Sequence, residues 1–192
     1  QEHYGLRRIV VCTYQAVSGA GQKGVDQLEE ELREGLPRTR AFPHAIAGNA
    51  IPQIAQFEDD GFTVEEWKMI HETRKILEDE SIGVSPTCVR IPVLHGHSEA
   101  VHAELRTPYE LEDVRALLAD HPGIVLIDDP DATAYPLATL ATGRDEVYVG
   151  RIRRDPSVEN GFVCWVVADN MRKGAATNAI QIAELWHRLR EE

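Results

Sequence analysis

Apolar positions along this chain fall into short β-branched runs and longer stretches at helical spacing. Residues 7–15, Arg-Arg-Ile-Val-Val-Cys-Thr-Tyr-Gln, predict a strand. A turn of tiny residues follows, Ser18-Gly19-Ala20-Gly21, and then Val25, Leu28 and Leu32 recur as the inward side of a helix over 25–33. Residues 34–62 hold Pro37, Pro43 and Pro52 and predict a long loop, pinned to the core by the apolar run at 45–52. Thr63-Val64-Glu65-Glu66 has the spacing of a capping box, so a helix starts there and runs to about Leu77, burying Trp67, Met69, Ile70 and Leu77. The stretch 88–99 reads as a strand entering a turn. Val89, Ile91 and Val93 share one face, Arg90 takes the other, and Gly96 frees the backbone to set His97 at the strand's exit. Residues 98–105 predict a strand pairing back. Thr107-Pro108 then opens a helix carrying Leu111, Val114, Leu117 and Leu118. Strands are expected over 123–128, 147–153 and 162–168, with turn formers Asp155-Pro156 and Asn160-Gly161 between the last two. A final helix over 175–189 has the stripe Ala175, Ala179, Ile182, Ala183, Trp186 and Leu189. This order argues for an α+β domain, a mixed and largely antiparallel sheet with helices on one face, plus a C-terminal helix.

Length and composition narrow the partners. At 192 residues the chain is one domain, or one domain with an appendage, and 43% apolar against 27% charged residues places it among soluble globular chains. A net charge of −12, from 32 acidic and 20 basic side chains with no basic cluster, argues against nucleic acid as a partner. No apolar run reaches the roughly 20 residues that cross a bilayer, and the start does not read as a signal peptide, so no membrane role is expected. Cys12, Cys88 and Cys164 are an odd count without CxxC spacing, inside apolar runs; they read as buried thiols of a reducing cytoplasm, not disulfides or zinc ligands, and no metal site is expected.

Arg90 and His97 are open to two readings: a surface ion pair beside an ordinary loop histidine, or a guanidinium that grips a carboxylate beside an imidazole that moves protons. The small-residue loop at 18–21 is either a plain connection or a place where backbone approaches a cofactor closely. Glu65 and Lys68 share a helical face with Glu72, which a solvated charged face with a Lys68–Glu72 pair would equally explain. The last helix reads equally well as a plain surface helix.

The wording of these stretches resembles the aspartate-semialdehyde dehydrogenases. Cys88-Val89-Arg90-Ile91-Pro92-Val93 with Gly96-His97-Ser98-Glu99 resembles the strand that carries that family's substrate arginine and acid/base histidine. Three further strings agree in order: Thr13-Tyr14-Gln15-Ala16-Val17-Ser18-Gly19-Ala20-Gly21, Glu65-Glu66-Trp67-Lys68 followed by 72–77, and Asp169-Asn170-Met171-Arg172-Lys173-Gly174-Ala175-Ala176. Where the family usually reads Ile-Ala-Phe-Asn, this chain has Ile46-Ala47-Gly48-Asn49. The four strings span nearly the whole chain.

The resemblance implies a glyceraldehyde-phosphate-dehydrogenase-like C-terminal domain over 1–192, the substrate-binding and dimerisation portion of an NADP-dependent enzyme that makes aspartate semialdehyde in amino-acid biosynthesis. Within it, 171–192 is expected to pack on the cofactor domain. The Gly-rich NADP-binding part and an Asn-Cys-Thr-type nucleophile are expected upstream of Gln1, which leaves this piece inactive alone, and Cys12, mid-strand, is not expected to substitute. By resemblance, His97 is the acid/base group and Gln15 lies by the reacting carbonyl. Glu65 takes the substrate ammonium, Lys68 the phosphate and Arg90 the carboxylate; Ser18, Gly19 and Asn170 touch the nicotinamide cofactor. These charges match aspartyl phosphate, which carries a carboxylate, an ammonium and a phosphate. A homodimer is expected. The competing expectations are a non-catalytic relative that only dimerises or binds a ligand, and, less well matched to Glu65, a glyceraldehyde-phosphate-type dehydrogenase domain.

Overall fold

A computed structural model describes residues 1–35, 37–38 and 40–191. Positions 36 and 39 of the expected loop and 192 of the expected C-terminal helix lie outside the described residues. In chain order the elements are β1 (Leu6–Gln15), a 3-10 turn (Val17–Ala20), α1 (Gln22–Glu34), α2 (Val64–Ile76), β2 (Gly83–Arg90) and β3 (His97–Leu105). They continue with α3 (Leu111–Asp120), β4 (Ile124–Leu126), α4 (Ala138–Ala141), β5 (Val147–Arg154), β6 (Gly161–Ala168), a π-helical turn (Arg172–Ala176) and α5 (Thr177–Glu191).

The strands form one six-stranded sheet in the order β2-β1-β3-β6-β5-β4. The central pairs β1–β3, β3–β6 and β6–β5 are antiparallel, and the outer pairs β1–β2 and β5–β4 are parallel. This is the mixed, largely antiparallel sheet expected from the sequence. In each outer pair the connecting residues hold helix that brings the chain back to the same end of the sheet, α1 and α2 between β1 and β2 and α4 between β4 and β5.

Helices α2 and α3 cover one face. Leu6, Ala103 and Leu105 of the sheet pack with Ile82, Tyr109 and Val114, and Val149, Ile152 and Cys164 pack against Leu111 and Leu118 of α3. Tyr109 is fixed further by its hydroxyl, which donates to the Gly161 carbonyl, and by edge contact with Phe162 at 6.0 Å. On the other face the short α4 sits near the β5–β6 side, where Ala141 packs with Tyr148 and Val167. Across the rest of that face Tyr14 and Trp165 lie ring to ring at 5.4 Å, and Cys12 is half-buried.

Four expectations need correction. β2 ends at Arg90, so Ile91 and Val93 belong to the turn: Ile91 N–H bonds the Gln15 carbonyl and Pro92 then has no N–H to continue the ladder. In α1 Leu32 is 71% exposed, and the buried side is Gln27, Leu28 and Glu31, for a reason given below. Trp67 is half-buried on the flank of α2, stacked on His71 at 5.2 Å, with its Nε1 donating to Asp60. The last helix starts only at Thr177, after the π-helical turn, and its Ile180, Ile182, Leu185, Trp186 and Leu189 are all exposed. Among the described residues no helix is long and apolar enough to cross a membrane.

Candidate active site

The parallel register sets Gln15, the last residue of β1, beside Arg90, the last of β2, and β3 begins alongside them at His97. Three strand ends therefore meet at one end of the sheet. The residues after β1 are tied to the turn after β2: Val17 N–H bonds Val93 O at 2.8 Å and Ser18 N–H bonds Leu94 O at 3.2 Å. Gly96 turns the chain back with φ +85°, in the left-handed region, and a side chain there would strike the backbone of Ala138.

Arg90 is 5% exposed. Its backbone pairs with Ile51 in both directions, its Nη1 donates to Ala16 O at 2.5 Å, and its Cζ lies 5.6 Å from the centre of the Phe42 ring. The Nε is buried with no hydrogen-bond partner among the described residues. A buried, unpaired guanidinium N–H costs free energy unless something else completes it, and a carboxylate meets the Nε edge of the fork with two parallel bonds. Burial pulls the Arg90 pKa down, opposed mainly by the Glu65 carboxylate.

His97 faces the same spot. A side chain on Gly19 would come within 2.8 Å of Arg90 Nη1 and 3.2 Å of His97 Nε2, so the absence of one is what lets the two tips converge. Ala16 N–H donates to His97 Nδ1 at 3.1 Å, which assigns the remaining proton of the neutral ring to Nε2, the nitrogen on the Gly19 side. Burial, reinforced by the Arg90 charge, pushes the His97 pKa down to about 4, against the opposing pull of Asp169 and the Gly96 backbone. In the unliganded site His97 is therefore a neutral ring that donates from Nε2. Nitrogen-15 spectra of the histidines should show an acceptor Nδ1 and a protonated Nε2 for this ring across pH 5–8, and a titrating ring in that range would contradict the assignment. Linkage has a definite sign: between its ordinary value of about 6.5 and about 4, the unfolded chain takes a proton that the folded one refuses. The residue's contribution to stability is thus full above about pH 6.5 and lost as pH falls toward 4.

Ser18 and Asn170 close the floor. Asn170 Nδ2 donates to Ser18 Oγ at 3.1 Å and its Oδ1 accepts from Gly96 N–H at 3.0 Å. Asp169, to which the sequence reading gave no role, is 5% exposed and accepts from Gly143, Met171 and Arg172 backbone N–H groups, fixing the exit of β6. Gln15 is 6% exposed and its side-chain amide takes no protein partner among the described residues.

Glu65 and Lys68 stand on the first turns of α2, 3.7 Å apart as a pair, in place of the Lys68–Glu72 pair of the alternative reading. Glu65 is close enough to act on Arg90, while the Lys68 side chain is 54% exposed. What places them is Glu66. Its Oε2 accepts from Thr63 N–H at 2.8 Å, completing the capping box, and its Oε1 accepts from Cys88 N–H at 3.0 Å, two residues before Arg90. The capping signature is visible in the sequence; the cross-link to β2 is not.

No described cysteine suits a nucleophile at this spot. Burial pushes Cys88 up to about 11 and Cys164 up to about 12. Cys12 is half-buried where burial was expected, but it alternates with Thr13 and Gln15 along β1 and so points to the opposite face from the site.

Comparison with known proteins gives a consistent set. Residues 1–173 match the family model described as semialdehyde dehydrogenase, dimerisation domain. The aspartate-semialdehyde dehydrogenase of Aquifex aeolicus is 54% identical over 186 residues, 94% of this chain and 55% of that protein. A crystal structure of aspartate semialdehyde dehydrogenase II from Vibrio cholerae, complexed with ASA, superposes with a TM-score of 0.92 at 51% identity, covering 97% of this chain and 56% of the other. The enzyme of Candida albicans, solved with NADP, superposes at 0.67 with 27% identity, covering 93% of this chain and 49% of that one. The chain thus spans about half the length of the curated relatives it matches.

Proposed function

The chain belongs to the semialdehyde dehydrogenase dimerisation-domain family, and from that premise we propose that it is the substrate-binding and dimerisation half of an NADP-dependent aspartate-semialdehyde dehydrogenase, acting in amino-acid biosynthesis. The observation that carries the reading is Arg90: a buried guanidinium whose Nε has no hydrogen-bond partner among the described residues, beside a histidine Nε2–H and against a glycine without which neither tip would fit.

In this reading Arg90 binds the substrate carboxylate through its free edge and Glu65 the ammonium. Lys68 leaves Glu65 to meet the phosphate. Gln15 donates from its free amide to the reacting carbonyl, and His97 Nε2–H donates to the oxygen on which negative charge develops. Ser18, Gly19 and Asn170 suit a nicotinamide ring held beside the Arg90 and His97 tips, because Gly19 lies against both tips and Asn170 Nδ2 keeps one N–H beyond its bond to Ser18. NADPH bound there supplies the hydride.

The open sheet face, with Tyr14, Trp165 and Cys12, is the surface proposed for the homodimer, and the exposed stripe of α5 that for the cofactor domain. Three unpaired thiols accord with a cytoplasmic site of action. The test is a titration of the chain with aspartate semialdehyde and, separately, inorganic phosphate, alongside an NADP reduction assay. Saturable binding of both without turnover is expected, since none of Cys12, Cys88 and Cys164 is placed to attack. Turnover by this chain alone would contradict the cysteine assignment, and failure to bind aspartate semialdehyde would sink the reading.

A further inference from the structure

Helix α1 buries two polar side chains that the site described above does not use. Gln27 is 1% exposed and Glu31 7%. Gln27 Oε1 accepts from Ala41 N–H at 2.6 Å and Phe42 N–H at 3.0 Å, while its Nε2 donates to Glu31 Oε1 at 2.7 Å and His44 O at 3.2 Å. Glu31 Oε2 in turn accepts from Ile46 and Ala47 N–H, both at 2.7 Å. Two side chains one helical turn apart thus satisfy five backbone groups of the segment 41–47, which has no strand or helix of its own to do so.

That segment ends on a precise contact. The Phe42 ring is held between α1, where a side chain on Gly24 would lie 3.1 Å from its Cζ, and the guanidinium of Arg90 at 5.6 Å. The ring face attracts the cation and occupies one flank of it, so a ligand carboxylate is left the edge that carries the unpartnered Nε. Without the ring, Arg90 would keep its bond to Ala16 O, its backbone pairing and the Glu65 charge, and lose the contact that flanks the guanidinium plane.

We infer that Phe42 is a positioning residue of the carboxylate site, and that the buried Gln27–Glu31 pair exists to hold it over Arg90. This rests on the substrate reading above and goes beyond it. The experiment measures binding of aspartate semialdehyde and of inorganic phosphate to the chain for wild type, Phe42→Leu, Phe42→Tyr, Glu31→Gln and the double variant Phe42→Leu/Glu31→Gln. Phe42→Leu should weaken aspartate semialdehyde about five-fold and leave phosphate unchanged. Phe42→Tyr, which keeps the ring face, should restore the affinity. Glu31→Gln, which sets an amide NH2 against backbone donors, should weaken aspartate semialdehyde similarly, and the double variant should be no worse than either single one.

Wild-type affinity in Phe42→Leu overturns the inference while leaving the substrate reading intact. So does an equal loss for both probes, since that marks general loosening. A wild-type chain that binds no aspartate semialdehyde overturns the substrate reading itself and this inference with it. Should Glu31→Gln fail to fold, the comparison of Phe42→Leu with Phe42→Tyr still decides the role of the ring.

Discussion

Replacing Arg90 by lysine should weaken aspartate semialdehyde binding about 50-fold although the charge is kept. The expectation follows from geometry. The guanidinium is planar, is held by Ala16 O at one end and by the Phe42 ring on one flank, and offers its Nε edge to the ligand. Lysine offers one point donor that cannot bond Ala16 O and a carboxylate in two parallel bonds at once. Hydrogen bonds to a charged partner contribute about 1.5–3 kcal/mol each, and losing one in a buried site accounts for a factor of roughly 10–150. Phosphate binding should survive, because Lys68 stands on another element. Calorimetric titration of both ligands checks this, and equal loss of both would mean that Arg90 holds up the fold instead of the carboxylate.

Glu66→Ala should lower the melting temperature by roughly 10 °C, the largest effect on stability expected near the site. One carboxylate serves two purposes, capping α2 through Thr63 and docking it to β2 through Cys88. Loss of half of a capping box costs about 1 kcal/mol, and stranding the buried Cys88 N–H about 1–3 kcal/mol more. A chain of this size loses about 2–4 °C per kcal/mol. Glu65→Ala is the control: its carboxylate pairs loosely with a half-exposed lysine and acts on Arg90 only through its charge, so stability should fall less than in Glu66→Ala while binding of the amino group suffers. Equal melting of the two variants would remove Glu66 from its docking role.

Much of the fold was legible because its signals are local. The apolar and β-branched run from Ile9 to Tyr14, a Thr-x-x-Glu cap and an Asn-Gly turn each mark their element without help from distant residues. The errors lie where tertiary contacts override a local rule. Leu32 matches the helical period of α1, yet Gln27 and Glu31 are buried in its place because the irregular segment 41–47 needs their hydrogen bonds. Val-x-Ile-x-Val continues to alternate after the chain has turned at Arg90, so the apolar period overstates the length of β2. At the site, Arg90, His97, Gln15 and Asn170 could be named from their strings, but not the state of His97. Its low pKa comes from burial, reinforced by Arg90, and its tautomer from Ala16 N–H, which the fold brings to it across 81 positions of sequence. Phe42 carried no motif at all, and only its place over the guanidinium reveals it.

The most direct test of the account is the Arg90 Nε–H resonance, followed by proton–nitrogen NMR while aspartate semialdehyde is added to the chain. The account predicts a saturable downfield shift of that one guanidinium proton as the ligand carboxylate supplies the partner it lacks, with the same midpoint as calorimetric binding. Ligand binding that leaves the Arg90 Nε–H unmoved would contradict it.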